Sequence, residues 1–372
     1  MSDIRFGIIG VGMMGIEHLH NIAGLDGATV TAVSDPHGPS RSSATEAWAG
    51  PLTTFEDHRE LLSSGLCDAV VVATPNHTHA DVMVDVVASG LPVLVEKPLC
   101  TTVEGCRTVM AAAEDAPGMV WVGLEYRYMP PVARLIEEVR AGTVGETRMV
   151  AIREHRFPFL SKIGDWNRST ANTGGTLVEK CCHFFDLMRV IIGTDPVSVY
   201  ASGGHDVNHL VSDETGPASD MLDNAFVIVD FEGGVRAMLD LCMFADATKN
   251  QEEVVVVGDK GKVEALIPES TVRIGRRGEH WIGEVEEFTV TDETVKVAGD
   301  HHGSSFLELA RFTTAILEGG PRELEGFADA VRSGARPEVT LADGLWSVAM
   351  GEAAHRSIEQ GRPVTLAEVL DG

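Results

Sequence analysis

The stretch Arg5–Ile9 reads as a strand, and it runs straight into Gly10-Val11-Gly12-Met13-Met14-Gly15 and then a helical segment. Three glycines at a strand-to-helix junction constrain the fold more than any other feature of this chain. Gly10 suits a tight turn, Gly12 lets backbone approach a pyrophosphate, and Gly15 permits close helix–strand packing. The helix N-terminus behind them offers its partial positive charge to phosphate. Asp35 ends the next strand, where a carboxylate would bond both ribose hydroxyls and repel a 2′-phosphate. These residues imply a dinucleotide-binding βαβ unit that prefers NAD to NADP, with His37 and Arg41 nearby as the features that argue the other way.

The same alternation of short apolar runs and helical stretches continues to about residue 125, the pattern of a parallel sheet. Strands are expected at Arg5–Ile9, Thr29–Ser34, Ala69–Ala73, Pro92–Val95 and Val120–Gly123, with helices near Gly15–Ala23, Phe55–Ser63, His79–Ser89 and Val103–Ala113. Beyond Pro130 the pattern changes. A helix at Val132–Ala141, a strand at Thr147–Glu154, a polar loop through Thr173 and a helix from Thr176 to Ile191 are followed by strands. These lie at Val197–Ala201, Ala225–Phe231, Val235–Met243, Glu253–Gly258 and Lys262–Ile267, with a hairpin turn at Glu232-Gly233-Gly234. Helices at Ser304–Leu317 and Asp343–Gln360 close the chain, and Gly203–Ser219 reads as a loop. At 372 residues the chain is too long for one ordinary core. The fold class is α/β: a Rossmann parallel sheet over 1–125, then an α+β domain over 126–372 with a large, mostly antiparallel open sheet.

A formal net charge of −27, from 56 acids against 29 bases, argues against nucleic acid and anionic lipid as partners. No stretch approaches the roughly 18 apolar residues of a membrane span, and Phe6–Val11 is a strand rather than a signal peptide. Six cysteines without paired spacing suggest reduced thiols and a cytoplasmic protein. No metal site is expected, because adjacent Cys181 and Cys182 would point about 100° apart on a helix.

Ala73-Thr74-Pro75-Asn76-His77-Thr78-His79 follows a strand at the sheet edge where such folds hold ligands. Pro75 would pack on a nicotinamide and Asn76 would bond its ribose. Thr74, His79, Met13, Met14, Glu96 and Lys97 complete the expected cofactor set. As a metal pair, His77 and His79 lack a carboxylate at useful spacing, so a helix-start and packing role is the alternative for them. Lys97, Glu179 and His183 together suit removal of a hydroxyl proton: the imidazole takes it near neutral pH and the ammonium favours the negative oxygen. On an unbroken helix Glu179, His183 and Asp186 share one face, whereas Lys180 lies about 100° away.

The chain as a whole resembles the Gfo/Idh/MocA superfamily of sugar and cyclitol oxidoreductases. The resemblance rests on GIIGVGMMG, ATPNHTH, VEKPL, Tyr126-Arg127-Tyr128-Met129-Pro130, Gly174-Gly175-Thr176-Leu177 ahead of Glu179 and His183, and the run from Gly303-Ser304-Ser305 to Phe312. It implies NAD as cofactor, a catalytic lysine, acid and histidine at Lys97, Glu179 and His183, and a homodimer or homotetramer formed through the open sheet. The chain departs from the commoner pattern in having glutamate for aspartate, with Lys180-Cys181-Cys182 between acid and histidine.

Between Arg153 and Lys180 the charge reverses. Arg153, His155, Arg156, Lys162 and Arg168, with Trp166 and Asn167, precede the catalytic helix. Such cations would hold a sulfonate, phosphate or carboxylate on the substrate, or else pair with the surplus acids. Arg127 and His302 join this expected substrate set. Three functions remain open: an NAD-dependent dehydrogenase of a sugar or cyclitol; an NAD-dependent glycosidase acting by oxidation, elimination, hydration and reduction, with sulfonated sugars among its substrates; and a non-catalytic nucleotide sensor. In the glycosidase, Lys180 or Tyr126 would join the acid–base work.

Overall fold

Six strands form the first sheet: β1 (Ile4–Ile9), β2 (Ala28–Ser34), β3 (Thr53–Phe55), β4 (Ala69–Val72), β5 (Val93–Glu96) and β6 (Val120–Gly123). A computed structural model describes residues 3–210, 219–278, 283–290 and 322–372. The strands are all parallel, in the order β3-β2-β1-β4-β5-β6. Helices cover both faces, so β4 and β5 are buried at every position and read as unbroken apolar runs. Strand order reverses between β1 and β4, and the crevice beyond their carboxyl ends is where a doubly wound sheet takes its ligand. Edge strand β3 and the helix Gly38–Ala47 were not anticipated. The strand has no buried residue, and only Ser40 and Ala44 of the helix are buried, so neither carries an apolar period.

The second sheet has nine strands among the described residues: β7 (Thr147–His155), β8 (Pro196–Gly204), β9 (Asn224–Phe231), β10 (Arg236–Cys242), β11 (Glu252–Gly258), β12 (Gly261–Ile267), β13 (Thr271–Arg276), β14 (Glu284–Thr289) and β15 (Val364–Thr365). Their order is β14-β13-β12-β11-β7-β10-β9-β8-β15, antiparallel except for the parallel β7/β10 pair. β13 and β14 extend the sheet beyond the expected strands; the charged edge Glu284–Thr289 has no apolar alternation to reveal it. Period-2 alternation divides β7. Val150, Ile152 and Glu154 are buried, while Met149 and Arg153 face outward. The open face carries Met149, Tyr200, Phe226, Ile228 and Met238, all exposed.

The boundary near residue 125 is crossed again at the C-terminal end. Phe327 returns to the first sheet and packs on Phe6 and Trp121, with ring centroids 6.1 and 6.3 Å apart, while the Trp121 indole donates to Glu323 at 3.2 Å. Helix Leu341–Gln360, started by a capping box between Thr340 and Asp343, then lies against both units. A Cβ at Gly344 would stand 2.9 Å from Leu99, and one at Gly351 would stand 2.5 Å from the Leu177 carbonyl. Glycine at these two positions lets one helix touch the first sheet and the site-bearing helices together. Glu352 of the same helix accepts the Val103 N–H at 2.7 Å. No described helix is long and apolar enough to cross a membrane. The expected helix Ser304–Leu317, the Gly303–Phe312 run, His302 and residues 211–218 of the expected loop lie outside the described residues.

Because Phe327 is fully buried at this seam, Phe327→Ala should destabilise the protein by about 3–5 kcal/mol. Denaturant unfolding followed by far-ultraviolet dichroism and by tryptophan fluorescence checks this, and the two signals should shift together. Loss of the Trp121 signal alone would mean that the seam does not couple the units.

Candidate active site

A cleft of about 810 Å³ opens at the β1/β4 switch point, lined from the first domain by Gly10, Gly12, Met13, Met14, Asp35, Thr74, Pro75, Asn76, Glu96 and Lys97. Gly10 has φ +87°, and a Cβ there would stand 2.7 Å from the Ala73 carbonyl carbon and oxygen. Gly15 lies behind the wall, where a Cβ would meet the Gly10 carbonyl oxygen at 2.0 Å. Gly12 caps helix Met13–Ala23 with no side-chain partner, and nothing lies within 4 Å of its missing Cβ. An open cradle before a helix N-terminus fits a dinucleotide pyrophosphate. Asp35 is fixed at the tip of β2 by the N–H groups of Val11 (2.9 Å) and His37 (2.8 Å), placed for a ribose. Arg41 donates instead to the Asp35 carbonyl and to Glu56, so neither it nor His37, bonded to Ser40, is arranged as a 2′-phosphate clamp.

Three of the expected cofactor contacts, His79, Asn76 and Glu96, make bonds within the protein. His79 is fully buried between the carbonyls of Pro98 (2.9 Å) and Thr74 (3.0 Å), and burial holds its pKa down, so the neutral ring donates to one of the two. It braces the two loops that carry Pro75 and Lys97 rather than facing a ligand. The Asn76 amide donates to the Glu179 carboxylate, across the two domains, and the residue also lines the cleft. Glu96 bonds His18 at 2.7 Å and accepts the Lys97 N–H at 3.1 Å, holding the start of the lysine loop.

Lys97 lines this cleft and meets Glu179, and His183 lies near enough for the Lys97 charge to act on it, but Glu179 and His183 are not on one continuous helix. Helix Thr176–Glu179 ends, and a second, Cys182–Ile192, begins after an opened turn in which the Cys181 N–H reaches back to the Thr176 carbonyl. The Glu179 carbonyl accepts the Lys97 ammonium at 3.3 Å and the Cys182 thiol at 3.5 Å. Burial works against the Lys97 charge, yet Glu179, Cys182, Glu96 and Glu125 outweigh it and raise its pKa, so it stays an ammonium. His183 is pushed the other way, well below the ordinary imidazole range, by burial and then by Lys97, Lys180 and Arg156. It is therefore neutral, and its Nδ1 has no partner among the described residues.

Behind His183 lies a second layer that sequence reasoning did not resolve. The Tyr126 ring stacks on the imidazole, 3.9 Å between centroids and 10° from parallel. Lys180 donates to the Tyr126 hydroxyl and lies 3.0 Å from Glu154 and 3.8 Å from Glu252. Both acids are buried, as is Lys180, which thus supports the site from behind rather than lining the cleft. Burial pushes Glu252 up to about 7, with Glu154 adding to the effect and Lys180 opposing it. Neither acid carried a sequence signal, since each sits in a strand beside other charged residues.

The expected cationic stripe does not assemble into one surface. Arg153 and His155 lie on the open face of the second sheet, bonded to Asp240 at 2.9 and 3.0 Å. Odd positions of β7 face away from Glu154, so their strand parity removes them from the site. Arg127 is buried against Asp186 and Asp343, a pairing that gives Asp186 a structural role. Asn167 is buried and ties Leu160 to Lys162 (2.9 and 3.3 Å). Arg168 pairs with Asp165 at 3.3 Å and donates to Ser161 at 2.7 Å. Arg156 lies 3.5 Å from Glu154. Lys162 and Trp166 are the members of the set that line the cleft.

The imidazole should report the charge behind it. Lys180→Met removes a cation that holds His183 down, so the His183 pKa should rise, whereas Lys180→Arg should leave it near its starting place. An NMR titration of the ring checks both variants; an unmoved His183 in Lys180→Met would disconnect the two layers.

Two family models match the chain: the Gfo/Idh/MocA oxidoreductase family, NAD-binding Rossmann fold, over residues 4–124, and its C-terminal alpha/beta domain over residues 136–366. Myo-inositol 2-dehydrogenase of Thermotoga maritima is 29% identical over 372 residues, covering 99% of this chain and 100% of that protein. The 2,7-anhydro-N-acetylneuraminate hydratase of Escherichia coli is 24% identical over 378 residues, covering 99% and 98%. An oxidoreductase from Agrobacterium radiobacter, solved with NAD+, L-tartaric acid and magnesium, shares the fold at a TM-score of 0.79 and 18% identity, covering 98% of this chain and 99% of that one. The chain belongs to the Gfo/Idh/MocA oxidoreductase family and is an enzyme of that family with an NAD-binding Rossmann domain.

Proposed function

We propose that the protein oxidises a secondary alcohol carbon of a sugar or cyclitol, with residues 1–125 holding NAD and residues 126–372 presenting the substrate. The observation that carries this reading is the Lys97 ammonium that lines the dinucleotide cleft, bonded to the Glu179 carbonyl, with the neutral His183 imidazole within reach of its charge. Bound NAD supplies the hydride acceptor. Gly10, Gly12, Met13, Met14, Asp35, Thr74, Pro75 and Glu96 are the residues that would hold it. His183 takes the hydroxyl proton, and Lys97 stabilises the negative charge that grows on the oxygen as the proton leaves. Glu179 holds Lys97 through its carbonyl and is itself oriented by Asn76.

A second reading is supported by the layer behind His183. A buried Lys180–Tyr126 pair gives the site acid–base groups beyond those that a single oxidation needs. Such groups suit a glycosidase in which transient oxidation acidifies the neighbouring C–H, the aglycone is eliminated, water adds and the carbonyl is reduced again. The relative named as a hydratase fits the same reading.

Incubation with NAD and aryl glycosides, neutral and sulfonated, followed at 340 nm, separates the two. Steady NADH accumulation with free sugars or cyclitols is the expected result. Aglycone release without net NADH would replace it with the glycosidase, and silence in both assays would sink both. Lys97→Ala should abolish turnover while leaving NAD affinity within a few-fold.

A cytoplasmic homodimer or homotetramer is the assembly this reading carries, paired through the open sheet. Its exposed Met149, Phe226, Ile228 and Met238 form the kind of apolar surface that a second copy covers. Light scattering at micromolar concentration should give a multiple of the chain mass; a monomer would overturn the assembly.

A further inference from the structure

Lys162 lines the cleft and has no counter-ion among the described residues. Its ammonium stands 4.8 Å over the Trp166 ring and has no ion-pair or hydrogen-bond partner among the described residues. This is not a loose surface lysine. The Asn167 side chain accepts its backbone N–H, its carbonyl accepts the Asp165 N–H at 2.8 Å, and the turn passes through left-handed Gly164 and Asp165. Trp166 is pinned in turn, its carbonyl accepting from Asn172 at 3.1 Å and its ring edge-on to His77 at 6.2 Å. The backbone that carries the cation and the ring beneath it are thus held in place before any ligand arrives.

Charges around the catalytic end do not cancel. Lys97 and Lys162 are both cationic, His183 is neutral, and Glu179 is the acid that both lysines sense first. Glu179 is already engaged by Asn76 and, through its carbonyl, by Lys97. Burial lowers the Lys162 pKa and Lys97 lowers it further, while Glu179 and Glu96 hold it up. A partly desolvated ammonium with no anion on it among the described residues is costly in a chain with 56 acids. Among the described residues no side chain relieves that cost, and an anion entering the cleft would.

We infer that Lys162, backed by Trp166, is a specificity-determining site for a single negative charge, a carboxylate or a sulfonate, on the substrate. The inference rests on the reading of the cleft as a sugar or cyclitol site. An ammonium is a point charge that accepts either oxyanion without demanding a planar, two-pronged partner. The Trp166 ring beside it offers an apolar surface to the sugar carbons that carry the charged group. A neutral sugar would leave the lysine unpaired, so discrimination comes from that penalty as well as from the new attraction.

Calorimetric titration of the NADH-saturated full chain, which cannot accept a hydride, tests this with three probes: methyl α-D-glucopyranoside, the corresponding glucuronide, and the corresponding 6-sulfonate. At least one anionic probe should bind about tenfold or more tightly than the neutral one, the gain of one desolvated ion pair. Lys162→Met should erase the difference and Lys162→Arg should keep most of it. Which anion binds better identifies the charged group. Equal affinities for all three probes, no binding of either anion, or a preference that survives Lys162→Met overturns the inference. So does a Lys162→Met variant that loses NAD affinity with its sugar preference intact, since the lysine would then serve the dinucleotide phosphates. Binding is read without turnover, so the anion site can stand where oxidation fails, and oxidation of neutral sugars without anion preference removes the anion site alone.

Discussion

Glu179 is gripped by the first domain at both ends, and the rest of the site depends on that grip. Its carboxylate takes the Asn76 amide from the loop after β4, and its carbonyl takes the Lys97 ammonium from the loop after β5. In an unbroken helix that carbonyl would accept the N–H four residues on. The opened turn at Lys180 and Cys181 releases it for the lysine. A buried carboxylate and a buried ammonium are each unfavourable alone, so the two loops and the helix end can be dry only when they meet. The catalytic end is therefore built at the junction of two sheets, and helix Leu341–Gln360 clamps that junction from behind.

Much of this could be read from sequence, for identifiable reasons. Gly10 and Gly15 each face backbone at a distance that a Cβ cannot share, so their spacing is a record of packing and not of composition. Lys97, Glu179 and His183 could be grouped because their chemistry is complementary. The helix that joins the last two could not be drawn correctly. Nothing in Glu179-Lys180-Cys181-Cys182-His183 breaks a helix by propensity; the break is a tertiary effect, made where Lys97 competes for a carbonyl. Arg153 and His155 failed for a different reason. Their parity along β7 was readable, but which face of that strand carries the site was not, until Glu154 was found beneath Lys180. Phe327, two hundred residues from Trp121, shows the same limit: an apolar period reveals a buried face but not the sheet it covers.

The two charge layers have opposite effects on the imidazole between them. Lys97, Lys180 and Arg156 all oppose a proton on His183. A base so disfavoured takes a proton from an alcohol only if the oxygen left behind is stabilised at the same moment, and Lys97 is the group placed to do that. The same ammonium thus weakens the base and strengthens the acid, which ties proton removal to a substrate oxygen seated on Lys97. The imidazolium then formed has three cations for neighbours. Behind it Glu154 and Glu252 lie beside Lys180, whose ammonium donates to the hydroxyl of Tyr126, the ring stacked on the imidazole. Glu252, pushed up to about 7 by burial and Glu154, is the one whose charge responds most readily near neutral pH. On the proposed reading, Lys97 is what lets a neutral, cation-surrounded histidine act as a base, because it stabilises the oxygen as the proton leaves.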